Sequence, residues 1–264
     1  MGSSLALDLT GRVVLITGGT RGVGRGISEA FLDAGATVVS CSRSEVPEAE
    51  LPRTDNGSVR RHHVCDVRDA DAVTAMVADV VAEQGALDVL VNNAGGAPFA
   101  LAAEASPRFH DKITALNLLA PLQLMQAANQ VMQQQADGGV IVNVSSVSAL
   151  RPSPGTAAYA AAKAGLDSLT RSLAVEWAPK VRVTGMDVGL VRTDQSHLHY
   201  GDEDGVAAVA RTVPLGRLAE PRDVGTVAVF LASPLAGYVS GATIEVHGGG
   251  ERPAFLDAAS GTKP

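Results

Sequence analysis

Two cysteines, one tryptophan, three tyrosines and five phenylalanines are all that 264 residues offer in thiols and large rings. Two thiols make at most one disulfide, and Cys41 and Cys65 stand in no metal-ligand spacing. Each closes an apolar run, as a buried small filler does, which fits a reducing, cytoplasmic setting. Aromatics at 3 % leave no stacking platform for nucleic-acid bases. Positive charge is short as well: 21 Lys and Arg face 28 Asp and Glu, net -7. Such a surface has no general attraction for nucleic acid or an anionic membrane. No stretch reaches the roughly 18 apolar residues of a membrane span. Met1-Gly2-Ser3-Ser4 has neither region of a signal peptide, and Ala6 stands where a myristoylation pattern needs Ser or Thr. The six histidines, His62, His63, His110, His197, His199 and His247, include no complete metal-ligand set. Asn143-Val144-Ser145-Ser146-Val147 is not the G-x-S-x-G elbow of a serine hydrolase.

Apolar residues are plentiful at 46 %, with 19 % charged, enough for a large buried core. Near-continuous Val/Ile/Leu runs predict strands over Val13–Thr17, Thr37–Cys41, Arg60–Cys65, Leu87–Val91, Val140–Ser145, Val181–Asp187 and Thr243–Val246. Between them, helical spacing covers Gly22–Asp33, Asp69–Gln84, Ser106–Gln135, Ala157–Trp177 and Pro221–Leu231. Strand and helix alternating in this way imply right-handed crossovers and one doubly wound, seven-stranded parallel sheet with helices on both faces. No linker divides the chain, so residues 1–264 are expected to form a single α/β domain. Two segments break the rhythm. Ser42–Ser58 reads as a polar loop, and Leu190–Pro214 as a long loop of the kind that forms a lid. The tail, Glu251–Pro264, has no clear period.

The first predicted strand runs into Thr17-Gly18-Gly19-Thr20-Arg21-Gly22-Val23-Gly24 and then a helix. Glycines permit a tight turn and close approach to a pyrophosphate, whose charge meets the free amides and dipole of the helix start. The spacing is not G-x-G-x-x-G, so the strand-turn-helix context carries the reading of a dinucleotide site. At the end of the second strand, an acidic residue would accept from a ribose 2′-hydroxyl, whereas a basic one pairs with a 2′-phosphate. Ser40-Cys41-Ser42-Arg43 holds no acid, and Arg21 can approach the same phosphate. NADP(H) is therefore expected over NAD(H), which remains possible. Asp66, followed by Val67, can accept from the adenine amino group or cap the next helix. Asn92-Asn93-Ala94-Gly95-Gly96 would lie beneath the cofactor, its side chains ordering the turn or reaching ribose.

Tyr159, Lys163 and Asp167 fall on one face of a helix, one turn apart. An ammonium one turn from a phenol is expected to pull the phenol down from about 10. Ser146, ending the fifth strand, can hydrogen-bond a substrate oxygen. The combination predicts hydride transfer at a carbonyl or secondary alcohol, with Tyr159 exchanging the proton and Lys163 holding the nicotinamide ribose.

These residues resemble the short-chain dehydrogenase/reductase family in its form of roughly 250 residues, a Rossmann fold. The match includes the glycine turn, Asn92-Asn93-Ala94-Gly95, Ser146, Tyr159-x-x-x-Lys163, Pro214-Leu215-Gly216-Arg217, Phe230-Leu231-Ala232-Ser233, Ser240-Gly241 and Gly248-Gly249. The resemblance implies a fourth catalytic member, Asn117, which anchors a water through a local helix distortion. It also implies that Thr193 contacts the nicotinamide carboxamide, with Gly189 and Val191 beside it, and that Leu190–Arg211 is a substrate loop. Members are commonly tetramers, or dimers, joined through the long middle helices and the C-terminal helix and strand. Two departures stand out: Val188 replaces the usual proline before Gly189, which is expected to loosen or reshape the nicotinamide end, and His247 replaces a frequent aspartate. Substrate choice would rest on Gly96–Phe99, Val147–Ala158 and Leu190–Arg211, including Phe99, Leu150, Arg151, His197, Leu198, His199 and Tyr200. Other readings are an NAD-dependent alcohol dehydrogenase of the same fold and a dinucleotide sensor without turnover.

Overall fold

The computed structural model describes residues 7–255; the first six residues and 256–264, most of the expected tail, lie outside it, as do the side chains of Leu198 and His199. Strand β1 (Val13–Thr17) leads into α1 (Gly22–Asp33) and β2 (Thr37–Ser42). A short hairpin, β3 (Arg53–Thr54) and β4 (Gly57–Ser58), precedes β5 (Arg61–Val64). Then come α2 (Ala70–Gln84), β6 (Val89–Asn92), α3 (Pro107–Thr114), α4 (Ala120–Met132), β7 (Gly139–Ser146) and α5 (Ala157–Glu176). The chain continues through β8 (Val181–Val188), α6 (His197–Tyr200), α7 (Glu203–Ala210), α8 (Pro221–Ala232) and β9 (Thr243–Val246). Seven strands form one sheet in the order β5-β2-β1-β6-β7-β8-β9, every neighbouring pair parallel.

Alternation along β1 shows why both faces are covered. Val13 and Leu15 join a core with Met76 of α2, Leu124 of α4 and Leu166 of α5. Val14 and Ile16 point the other way, into a core with Ile27 and Phe31 of α1 and Val224 and Ala228 of α8. Each fully buried Leu, Ile or Phe stabilises by about 1.5–3 kcal/mol relative to exposure. Helices α1 and α8 approach until a Cβ on Gly26 would stand 2.4 Å from the Pro221 carbonyl carbon. A Cβ on Gly225 would meet the Gly26 oxygen at 2.5 Å, so neither position accepts a side chain without moving a helix.

Three expectations need correction. The helix expected over Ser106–Gln135 is interrupted by a π-helical turn at Ala115–Leu119. Leu190–Pro214 is not an open loop: α6 and α7 fold within it, α7 capped by the Asp202 side chain on Gly205 N. Val206 and Val213 of this segment, with Leu218 just beyond it, form a small apolar cluster of their own. Ser42–Ser58 likewise contains the β3–β4 hairpin and a 3-10 turn at Glu48–Glu50.

Candidate active site

Parallel strands deliver their C-terminal residues to one edge of the sheet: Thr17, Asn92, Ser146 and Val188. At the first of these, Gly18 and Gly22 adopt positive φ of 65° and 52°, turning the chain into α1. A Cβ on Gly24 would lie 2.0 Å from the Gly18 oxygen, so the start of α1 is pressed onto the turn. Arg21 is the N-cap of α1 yet supplies no side-chain cap, and no acid occupies the first turn. By contrast Asp69, Ser106 and Asp202 cap α2, α3 and α7. The uncapped amides of Gly22 and Val23 and the helix dipole suit a phosphate.

Thr17, which the sequence reading did not single out, ties this floor together. Its Oγ1 accepts from the amides of Asn93 at 3.0 Å and Ala94 at 2.9 Å, and donates to the Val91 carbonyl at 3.4 Å. The Asn93 amide group donates to the carbonyls of Thr17 at 2.8 Å and Gly18 at 3.3 Å. Of the two roles open to Asn93, this geometry is turn-ordering. Asn92 turns away, donating to Asn143 Oδ1 at 2.9 Å inside the core.

At the end of β2, Ser42 is half-buried and Arg43 exposed, as is Arg21. Asp66 does not cap α2; Asp69 does, accepting from Asp71 N and Ala72 N. Both Asp66 oxygens instead receive Arg68, at 2.9 and 2.5 Å, which holds the carboxyl below its usual range. Any acceptance from adenine would therefore be shared with that guanidinium. Across the edge, Gly22 faces the Thr193 methyl group, which a Cβ would approach to 3.7 Å. Val191 bridges to Ala219, and Thr193 N donates to Ser196 Oγ at 2.8 Å, holding this segment in place.

The reacting groups come from β7, α5 and the π turn. Ser146, the last residue of β7, acts on the Tyr159 phenol, partly offsetting the rise that burial gives it. Lys163, 3 % exposed, donates to the Val144 carbonyl at 2.7 Å and stands 5.6 Å from the centre of the Tyr159 ring. Asn117 is fully buried; its amide donates to Ile113 O at 2.9 Å and Gly96 O at 3.0 Å, and its Oδ1 accepts from Gly96 N at 2.8 Å. These bonds clamp the π turn to the strand-end loop. A Cβ on Gly95 would stand 2.7 Å from Asn117 Oδ1 and 3.5 Å from Lys163 Nζ, so this glycine is the point where both side chains converge. The sequence thus brings Asn117, Ser146, Tyr159 and Lys163 into one place.

The expected electrostatics are reversed. Burial pushes the Tyr159 phenol up, offset only in part by Ser146. The Lys163 nitrogen lies over the ring rather than at the hydroxyl, and burial pulls it down to about 8, with Asp167 and Asp187 opposing. The chain alone does not lower the phenol. Val188 extends the β8 ladder to Ser146 and Val246, and Gly189 N donates to Val246 O at 3.0 Å, which speaks against loosening and leaves a reshaped entry open. A Cβ on Gly189 would meet that of His247 at 2.7 Å, so the segment is tightly seated rather than loosened.

Starting at Val147, the residue after Ser146, a cavity of about 150 Å³ is bounded by Val147, Leu150, Leu190, Val213 and His247. The Arg151–Glu251 ion pair closes its rim. Phe99 lies over Gly155, where a Cβ would meet its ring at 2.0 Å, and Ala100 N donates to Gly155 O at 2.8 Å. Two of the expected specificity segments therefore touch. Cys41 and Cys65 are buried and free; burial pushes the Cys41 thiol up to about 12. Among the described residues, no three His, Cys, Asp or Glu side chains are grouped to hold a metal ion. No helix there is long and apolar enough to cross a membrane.

A family profile described as Enoyl-(Acyl carrier protein) reductase matches residues 18–251. The chain belongs to the short-chain dehydrogenase/reductase family. Among its short-chain relatives is the 3-oxoacyl-(acyl-carrier-protein) reductase FabG of Vibrio harveyi, 36% identical over 246 residues, covering 92% of this chain and 98% of the relative. The D-threitol dehydrogenase of Mycolicibacterium smegmatis is also 36% identical, over 91% of this chain and 93% of its own. A 7α-hydroxysteroid dehydrogenase solved with NADH and 7-oxo glycochenodeoxycholic acid superposes with a TM-score of 0.86 at 28% identity, covering 96% and 99% of the two chains. Short-chain dehydrogenases of this kind are oxidoreductases with a Rossmann fold, and this chain is one of them.

Proposed function

We propose that this protein is an NADP(H)-dependent reductase of a ketone, working in reverse as a secondary-alcohol dehydrogenase. The observation that carries the reading is the convergence of Asn117 and Lys163 at Gly95, with the Tyr159 ring next to Lys163 and Ser146 acting on its phenol, on the edge where α1 presents an uncapped N-terminus. When bound, NADPH supplies the hydride. Gly18, Thr20, Arg21, Gly22 and Val23 would hold the phosphates, Asp66 and Val67 the adenine, and Ala94 and Gly95 the ribose floor. Gly189, Val191 and Thr193 would hold the nicotinamide end. Ser146 donates a hydrogen bond to the substrate oxygen, and Tyr159 gives its proton to the same atom. Lys163 holds ribose hydroxyls, and positive charge gathered there is what would bring the phenol down from the raised value it has in the chain alone. Asn117 keeps the π turn clamped to Gly96 beside Lys163.

Ser42 and Arg43, with Arg21 in the glycine turn, favour a 2′-phosphate because β2 itself ends on no carboxylate. The apolar walls following Ser146 suit a neutral carbonyl of modest size; of the carboxylates that line the cavity, Glu251 pairs with Arg151 and Glu245 is hydrogen-bonded to His247. Exposed Leu119 and Val175 on the middle helices, and Leu235 and Tyr238 after α8, support a homo-oligomer, with a tetramer expected. A cytoplasmic location fits the free buried thiols.

The test compares NADPH and NADH on a panel of ketones, quinones and β-ketoacyl thioesters, followed as loss of reduced-cofactor absorbance. NADPH should win by about tenfold or more in kcat/KM, and Arg43→Asp should erase that margin. Equal turnover with NADH, or an unchanged margin in the variant, contradicts the cofactor assignment. Binding of NADPH with no turnover on any substrate contradicts the enzymatic reading.

A further inference from the structure

Beneath the turn that follows β2, one imidazole holds three neighbours. His62 of β5 stands in register with Ser40 of β2, and Ser42, two residues on, points to the same face of the sheet. The glycine turn lies on that face, since a Cβ on Gly19 would stand 3.1 Å from the Ser40 Cβ. His62 Nδ1 is 2.9 Å from Ser40 Oγ, and its Nε2 is 3.1 Å from Ser42 Oγ and 3.1 Å from the Ser44 carbonyl oxygen. Ser42 Oγ donates to the same carbonyl at 2.9 Å and accepts from Ser44 N at 3.4 Å. Arg43, which is exposed, is the residue these bonds enclose.

The partners assign the hydrogens. A carbonyl only accepts, so Nε2, the ring nitrogen facing Ser44 O, carries hydrogen. In the neutral ring Nδ1 then accepts from the hydroxyl of Ser40, a fully buried residue. Ser42 has one hydrogen, and it lies on Ser44 O. That carbonyl therefore has two side-chain donors, one for each lone pair.

A ribose 2′-phosphate at neutral pH offers mainly acceptors, so a serine that binds it must turn its hydrogen outward. Ser42 can turn without stranding the Ser44 carbonyl, because the imidazole N–H stays on that oxygen. A ribose 2′-hydroxyl brings its own hydrogen and asks no such turn. The difference makes the imidazole a discriminator between the two cofactors, although it carries no charge in this role.

We propose that His62 is a positioning residue for cofactor choice: by holding the Ser44 carbonyl through Nε2–H, it releases the Ser42 hydroxyl for the 2′-phosphate of NADP(H). This rests on the cofactor reading above, in which Ser42 and Arg43 meet that phosphate.

Calorimetric titration with NADP+ and with NAD+ tests it without turnover. In His62→Leu the NADP+ dissociation constant should rise about fivefold, the loss of one hydrogen bond, while the NAD+ constant stays within about twofold. His62→Gln should recover most of the NADP+ affinity, because its amide nitrogen can reach the place of Nε2. The shorter His62→Asn brings an amide only to the place of Nδ1 and should behave like His62→Leu. In a Ser42→Ala background, His62→Leu should cost no further NADP+ affinity. Should the His62 variants not fold, assigned ring 15N shifts of the wild-type histidines in alkaline buffer decide. His62 should show hydrogen on Nε2 and none on Nδ1, and the opposite tautomer overturns the proposal. Equal losses for NADP+ and NAD+ in folded His62→Leu, or no recovery in folded His62→Gln, also overturn it. Equal affinity of wild type for the two cofactors would overturn the cofactor reading itself, and this proposal with it.

Discussion

The two ends of the reactive edge are built on opposite principles. Beneath the glycine turn, Thr17 spends its hydroxyl on three neighbours and Asn93 spends its amide on two carbonyls, so polar groups close on one another locally. Beneath Tyr159, an ammonium and two carboxyls are buried with fewer partners than they can use, and burial shifts all three against their charged forms. The first region is a rigid floor whose job is shape. The second holds charge in a dry place, which costs stability and gives the site something to titrate.

The largest test of that contrast is Lys163→Met, which keeps the length of the chain and deletes the charge. It should lower kcat/KM about a thousandfold, while leaving Tm unchanged or raised because a desolvated ammonium is gone. A lowered Tm with activity retained would make Lys163 a structural residue and break the comparison. Gly24→Ala probes the other end. Its new methyl group would meet the Gly18 oxygen at 2.0 Å, so denaturant unfolding should show a loss of about 3 kcal/mol. NADPH affinity should fall too, with the position of the kcat pH profile unmoved.

A smaller effect comes from pH. Asp187 is pushed up from the ordinary aspartate value to about 6. Between about pH 4 and 6 the folded chain therefore keeps a proton that the unfolded chain has released, and stability falls as pH rises through that window. Melting curves should show this fall in wild type and a weaker one in Asp187→Asn. An identical pH dependence in the two would place the burial cost elsewhere.

The strands were legible because runs such as Val13-Val14-Leu15-Ile16 are buried on both faces, and sheet burial writes itself into sequence as apolar continuity. The π turn left no mark in the spacing, because its cause is tertiary: Asn117 bonds Gly96, 21 residues away, and only the family resemblance pointed to a helix distortion there. Helices α6 and α7 are short, with Gly201 between them and Gly205 inside α7, which read as loop until Asp202 caps α7. Spacing placed Lys163 one turn from Tyr159 but could not say that the ammonium lies over the ring, so the expected lowering of the phenol was lost to burial. Asp187 did leave a trace, since a carboxylate inside Val181–Val188 contradicts a strand otherwise suited to full burial.

Tyr159→Phe tests the central claim most directly, since it removes one oxygen and leaves the ring beneath Lys163. With NADPH and a ketone that wild type reduces, kcat should fall by about 10²–10⁴-fold while the NADPH dissociation constant stays within a factor of about two. Turnover at the wild-type rate in that variant would contradict the account, because the proton would then come from a group other than the one this helix buries beside Ser146.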